Sequence, residues 1–323
     1  MKDENKIRFL NKYQPAGWYS RERKNLCDRI IKWIPTYIAS SKLLNISLSD
    51  ITFLSGGVAS VICRIDLKEK KYIIKVVTSK HSRKGVVLFL QRWREIGVRV
   101  PKVFDTGIIF DCPYILMEYI DALPISRAYT SQDLTAKNIF FTLGEILSAM
   151  HRVRAQGWGN VLRENGEFNT ALQWYVSPEI QEQMETALQG GFLKKQEQKF
   201  IEDFILYADK KQIITYCHND FSPSNILLTK PFTVIDPTPV IHHPLFDAAR
   251  TIVLLANFDV DMILASKQFI DGYIGDHKMP RELYGAILLQ ACFKFCYWRK
   301  IGKISSIERI GEFLKENPYR YEL

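Results

Sequence analysis

The sequence predicts an α+β chain of two lobes, the first a five-stranded antiparallel sheet with one helix, the second mainly helical. Three observations lead there. The length, 323 residues, suits one large domain or two lobes at roughly 100–200 residues per domain. Short β-branched runs separated by turn residues fill residues 51–120. From Ser131 onward the apolar spacing becomes helical. Three segments result: a helical N-terminal extension at 1–48, an N-lobe at 49–120 and a C-lobe at 121–323, with the join near Ala122–Pro124.

The elements follow in order. Leu26, Ile30, Trp33, Ile34, Tyr37 and Ile38 recur at helical spacing within a basic stretch over residues 20–45, and Pro35 is expected to kink or break that helix. Ile51–Leu54, Ser60–Leu67 and Tyr72–Val77 read as three consecutive antiparallel strands, because Ser55-Gly56-Gly57 and Lys68-Glu69-Lys70 supply the turns. Residues 83–96 read as one helix closed by Gly97, and Val103–Phe110 and Tyr114–Ile120 complete the sheet. In the second lobe Ser131 is the expected N-cap of a helix carrying Leu134, Phe140, Leu143, Leu147 and Met150. Residues 160–210 read as one or two further helices with an acidic surface. Ile213–Tyr216, Ile226–Leu228 and Thr233–Ile235 are short strands around a loop rich in Asn, Asp, Ser and Pro. Residues 246–258, 260–274 and 281–300 are helical.

Composition excludes several classes. Apolar residues at 47% and charged residues at 24% are ordinary globular usage and argue against disorder. No run of about 18 apolar residues occurs, so no transmembrane segment is expected. The start, MKDENKIRFLNKYQ, lacks the apolar stretch of a secretory signal, and a cytoplasmic location is expected. The six cysteines contain no CxxC pair and are read as reduced, mostly buried thiols. The net charge of +9 is concentrated: residues 1–110 carry 22 basic and 9 acidic side chains, whereas residues 160–210 carry 5 and 9. An excess confined to one third of the chain does not require a polyanion, and no nucleic-acid partner is expected.

The segment Thr215-Tyr-Cys-His-Asn-Asp-Phe-Ser-Pro-Ser-Asn-Ile-Leu-Leu228 carries the chemistry. It places Asp220 two residues after His218 and five before Asn225, and Val234-Ile235-Asp236 follows shortly. Two carboxylates and a carboxamide on strand-flanked loops suit metal-assisted phosphoryl transfer. One carboxylate takes the proton of the acceptor hydroxyl. The second carboxylate and the amide oxygen hold the Mg²⁺ that bridges the phosphates.

At this point the chain resembles the aminoglycoside phosphotransferase and choline kinase family, whose two-lobed fold is protein-kinase-like. The resemblance runs over roughly residues 50–255 in ordered blocks: Leu54-Ser-Gly-Gly-Val-Ala-Ser-Val61, Ile73-Ile-Lys75, Val98-Arg-Val-Pro101, Ile115-Leu-Met-Glu-Tyr-Ile120, Ala149-Met-His151, Gly157-Trp-Gly-Asn160, the His218–Asn225 loop, Ile235-Asp236-Pro237 and Pro244-Leu-Phe-Asp247-Ala-Ala. It implies Asp220 as catalytic base and Asn225 and Asp236 as Mg²⁺ ligands. It implies Gly56, Gly57 and Ser60 over the phosphates of ATP or GTP, with Lys75 on the α/β-phosphates. The backbone from Glu118 to Ile120 would bond the purine edge. Asp247 and His218 would brace the loop.

Two departures accompany the resemblance. The phosphate loop is not GxGxxG. The position expected to supply a Glu partner for Lys75 reads Gly-Val-Val-Leu-Phe over residues 85–89, and Glu95 is the only acid in that helix. The partner implied is a small-molecule acceptor. Glu179, Glu182 and Glu185, with Asp259, Asp261, Asp271 and Asp276, point to a cationic hydroxylated one such as an aminoglycoside. Choline, ethanolamine or a sugar, a protein or lipopolysaccharide acceptor, and a nucleotide-binding pseudokinase stay open as alternatives.

Overall fold

The computed structural model describes residues 7–9, 21–40, 50–54, 60–67, 70–77, 85–277 and 280–316. Gly56 and Gly57 lie outside the described residues. Two compact units emerge: residues 1–91 with 100–121, and residues 92–99 with 122–323.

The first unit is built on the predicted sheet. Strands β1 (Ile7–Phe9), β2 (Asp50–Leu54), β3 (Ser60–Leu67), β4 (Lys70–Val77), β5 (Val103–Ile109) and β6 (Cys112–Glu118) pair in the order β1-β2-β3-β4-β6-β5. The five expected strands are all antiparallel neighbours, and β1 adds a short parallel strand beside β2. The central position of β4 explains its composition: Ile73, Ile74, Val76 and Val77 are buried on either side of the equally buried Lys75, successive residues that point to opposite faces of the sheet. Helix α1 (Arg21–Ser40) runs unbroken past Pro35, against expectation. Its Cys27, Ile30 and Ile34 join a core of Ile51, Val61, Cys63, Ile65 and Leu116. The same helix exposes Asp28, Arg29 and Lys32, so its described charges form a solvated face opposite a buried stripe. Helix α2 (Val86–Glu95) follows β4, and Gly97 beyond it takes a left-handed conformation at φ +86°.

The second unit is mainly helical. Helices α3 (Ile125–Ala128), α4 (Ser131–Ala136) and α5 (Ile139–Met150) open it. Thr130, one residue before the expected cap, is the N-cap of α4: its hydroxyl accepts from Asp133 N, and the Asp133 carboxylate accepts from Thr130 N. Residues 158–168, expected to be partly helical, instead form a hairpin of β7 (Trp158–Leu162) and β8 (Asn165–Phe168). Its strands are short and polar on one face, so period alone hid them. Helices α6 (Ala171–Tyr175), α7 (Pro178–Gln189) and α8 (Lys195–Lys211) follow, then strands β9 (Thr215–Cys217), β10 (Ile226–Leu227), β11 (Thr233–Val234) and β12 (Val240–His242). The unit closes with α9 (Pro244–Leu254), α10 (Met262–Ile274), α11 (Leu283–Lys300) and α12 (Ile304–Glu316).

Two features fix this unit. Helices α5 and α10 touch backbone to backbone: a Cβ at Gly144 would overlap Phe269 O, and one at Gly272 would overlap Phe141 O. Helix α11 is apolar nearly all round and buried, the pattern of a central core helix. All six cysteines are free thiols. No helix among the described residues is long and apolar enough to cross a membrane.

Candidate active site

Strand β9 is fully buried and delivers the chain to His218, itself inaccessible to solvent. Its Nδ1 accepts from Asp220 N at 3.3 Å, so Nε2 carries the proton and donates to Ile235 O at 3.0 Å. Trp93 stacks on the ring with a centroid separation of 5.8 Å, and burial lowers the His218 pKa. The imidazole is thus a neutral brace between two loops.

Asp247 is the second brace. This carboxylate, completely buried near the start of α9, accepts from His218 N at 2.6 Å and from Asn219 N at 2.7 Å. It also lies 3.1 Å from His151 Nε2, while Tyr273 OH donates to His151 Nδ1 at 2.8 Å. His151, Cys217 and Asp247 are close enough for a metal, but both Asp247 oxygens are already committed to N–H donors. The double clamp holds Asn219 at φ +57°, a left-handed conformation that Asn tolerates better than most residues.

The turn beyond Asp220 returns on itself. Asn225 Nδ2 donates to Asp220 O and to Asp220 Oδ2, both at 2.8 Å. The β10–β11 pairing and the Ile235 N to Asn225 O bond at 2.9 Å bring Asp236 next to this turn. Asp236 is exposed and sits at φ +56°, a sparsely populated backbone conformation for a non-glycine residue. Asp220, Asn225 and Asp236 are therefore gathered on one loop cluster.

The remaining predicted site residues belong to the first unit. Ser60 and Lys75 are buried on β3 and β4, and Lys75 stands in register with Ile62 and Ile115. Glu118 ends β6, where its N–H donates to Lys102 O at 2.8 Å and its side chain accepts from Lys102 N at 3.1 Å. The backbone of Tyr119 and Ile120 continues beyond the sheet with no hydrogen bond to described residues. Glu95 ion-pairs with Arg92 at 3.3 Å.

The acids that suggested a cationic acceptor lie on the surface. Glu179, Glu182 and Glu185 are exposed on α7. Asp261 caps α10, accepting from Ile263 N and Leu264 N at 3.0 Å, and Asp259 pairs with Arg309 at 3.3 Å.

Sequence reasoning missed Arg250, which touches this loop, and the buried Gln290 and Lys294 of α11, the first of which holds Arg250. Arg250 Nε donates to Asn219 O at 3.3 Å, and its Nη1 donates to Gln290 Oε1 at 2.9 Å. A signal was present: Gln290 and Lys294 are polar residues four apart inside an otherwise apolar helical run.

His242 and His243 are also buried, against Trp158, Trp174, Phe204 and Phe246. Desolvation lowers both, His243 to about 3. The unfolded chain therefore takes up protons below about pH 6.5 that the folded chain refuses. Stability should fall as pH drops from there toward 3, by of order 1 kcal/mol per histidine per pH unit. Urea midpoints at pH 7 and 5.5 measure it; identical midpoints would contradict the neutral burial of the pair.

A model of the phosphotransferase enzyme family matches residues 50–281. A search of curated protein sequences finds no match. Among solved structures, a thermostable mutant of aminoglycoside phosphotransferase APH(4)-Ia, in ternary complex with AMP-PNP and hygromycin B, is similar at TM-score 0.62 and 15% identity, covering 87% of this chain and 96% of that one. The spectinomycin phosphotransferase APH(9)-Ia, in complex with ADP and spectinomycin, is similar at TM-score 0.52 and 14% identity, covering 90% and 95%. A chain assigned as a fructosamine-3-kinase from Haemophilus somnus is similar at TM-score 0.55 and 13% identity, covering 84% and 92%. At such identities these structures speak to the fold, which is the two-lobed, protein-kinase-like one, while the family model spans well over half of the sequence including the whole His218–Asp236 cluster. On that match the chain belongs to the phosphotransferase enzyme family and is a kinase that passes a phosphoryl group to a hydroxyl.

Proposed function

We propose that the chain transfers the γ-phosphoryl group of ATP or GTP to a hydroxyl of a small polar molecule, with Asp220 as the general base. The observation that carries this reading is the paired bond from Asn225 Nδ2 to Asp220 O and Oδ2. It fixes one carboxylate oxygen and leaves the other to accept a proton from an incoming hydroxyl. It also commits the Asn225 nitrogen, so the carboxamide oxygen is the atom turned to a cation.

The donors near Asp220 suit Mg²⁺: the Asn225 oxygen and the exposed Asp236 carboxylate are hard oxygen ligands of the kind that ion prefers. Bound there, the ion would neutralise charge on the phosphates. In this reading Lys75 contacts the α/β-phosphates, Gly56, Gly57 and Ser60 cover them, and the backbone at Glu118 and Ile120 meets the base. The Glu118 N–H is already spent on Lys102, which shifts the weight of that contact to Ile120. No covalent enzyme intermediate is needed, since positioning and charge neutralisation suffice.

Structures similar to this one hold a nucleotide with hygromycin B or spectinomycin, which supports a small hydroxylated acceptor. The exposed acids of α7 and α10 lend no support to a cationic one.

Calorimetric titration with AMP-PNP tests the reading. Binding should require Mg²⁺, and Asp236→Ala should weaken it at least about tenfold, the loss of a 1.4 kcal/mol contact. A wild-type chain that binds no nucleotide in Mg²⁺ would overturn the proposal.

A further inference from the structure

Helix α11 carries two polar side chains through the core of the second unit, Gln290 and Lys294, one turn apart on one face. Gln290 is accounted for: it donates to Phe246 O at 3.1 Å and accepts from Arg250. Lys294 is not. Its side chain is 92% buried, yet its ammonium makes no hydrogen bond or ion pair with any described residue. The Nζ atom lies 5.2 Å from the centre of the Tyr297 ring, a contact worth far less than the hydration it gave up. Nor is Nζ among the sealed polar atoms of the core, so it keeps an opening.

The neighbouring contacts locate this ammonium. Lys294 stands one turn along α11 from Gln290, which accepts from Arg250, and Arg250 in turn donates to Asn219 O, the residue before Asp220. Arg250 and Lys303 repel the ammonium and Asp220 attracts it. Desolvation, reinforced by Arg250, pulls its pKa down to about 7. Arg250, held by Asn219 O and Gln290, forms no ion pair with a described residue either. Two cations thus sit near the base, attracted by Asp220 and, for Arg250, by Asp247, but neither is in an ion pair with a described residue. The buried Lys294 ammonium in particular is left without the direct partner that an anionic ligand would supply.

We infer that Lys294, with Arg250 beside it, forms an anion subsite for the acceptor, so that the molecule phosphorylated is a hydroxylated acid bearing a carboxylate or phosphate near the reacting hydroxyl. This rests on the assignment of Asp220 as the base that faces the acceptor. Lys294 holds and orients the acid group; Arg250 keeps the Asn219 carbonyl in place and adds its field.

Calorimetry on the full chain, without nucleotide, compares D-glucuronate, D-glucose 6-phosphate, D-glucose and D-glucosamine. At least one of the two acids should bind at least about tenfold tighter than the neutral and cationic sugars, as a hydrogen bond between charged groups provides. The choice between the two acids separates a carboxylate from a phosphate ligand. Lys294→Gln should erase the preference and Lys294→Arg should keep it, with both variants checked for wild-type thermal unfolding. Affinity for AMP-PNP with Mg²⁺ should be unchanged in Lys294→Gln. Equal binding of glucosamine and the acids, no binding of either acid, or a preference that survives Lys294→Gln overturns the subsite. So does a Lys294→Gln chain that loses nucleotide instead, because Lys294 would then serve the transferred phosphates. A wild-type chain that binds an acid through Lys294 but never binds nucleotide would instead sink the kinase assignment and leave the subsite standing.

Discussion

Asp220→Asn is expected to lower kcat by about 10²–10⁴-fold with little change in nucleotide affinity or unfolding midpoint. The amide that replaces the carboxylate has nearly the same shape. Its oxygen still accepts from Asn225 Nδ2, and the main-chain bond from Asn225 Nδ2 to Asp220 O does not depend on the side chain. The loop should therefore persist. What is lost is the capacity to take a proton, together with one negative charge beside Lys294 and Arg250. Single-turnover measurement with any accepted hydroxyl separates this from a binding defect, because the loss should appear in the chemical step. Wild-type turnover in the variant would remove Asp220 from the role.

Asp247→Ala is expected to behave in the opposite way, as a folding defect first. Its carboxylate, itself fully buried, answers the N–H groups of His218 and Asn219 and the ring of His151, of which His218 and His151 are buried and Asn219 half-buried. Deleting it strands these donors at once, and removing one partner of a buried charged network costs about 3–5 kcal/mol. That is a large share of the roughly 5–15 kcal/mol that holds an ordinary domain together. Asp247→Asn should be little better, since one oxygen becomes a donor pointed at a donor. Urea unfolding measures both; a loss below about 1 kcal/mol in either would show that the clamp is not structural. The two carboxylates, linked through the Asn219 N–H that Asp247 holds next to Asp220, thus give opposite signatures: Asp220 is expected to cost rate and not stability, Asp247 stability before rate.

The sheet was legible because its strands are β-branched runs punctuated by glycine and charged turns, and Ile73–Val77 advertises a central strand. The loop was legible because its residue types stand close together in the sequence: the structure gathers Asp220, Asn225 and Asp236 on neighbouring turns, and Asp247 and His218 brace them. The hairpin at 158–168 was not legible, since Trp158–Leu162 and Asn165–Phe168 are too short and mixed for period to distinguish strand from helix. Pro35 misled because a proline costs one helical hydrogen bond, which the apolar stripe of α1 outweighs. Lys294 escaped because a lone lysine in an apolar helix looks like a solvated residue until burial is known. The charge of the acceptor was not legible for a related reason: the acids counted are abundant in the sequence but exposed, and sequence alone does not show which charged groups are buried near Asp220.

The glycine contact between α5 and α10 sets a limit of another kind. His151 closes α5 and Tyr273 ends α10, and together they reach Asp247. Their spacing is set by main chain against main chain at Gly144 and Gly272, not by side-chain volume. A core built from Leu143, Leu147 and Phe269 can exchange one apolar residue for another as a lineage diverges, so long as total volume is kept. No such exchange exists where a single Cβ has nowhere to go. Sequence can therefore drift to about 15% identity around this contact, the level seen against similar structures, while these two positions stay closed to every residue but one.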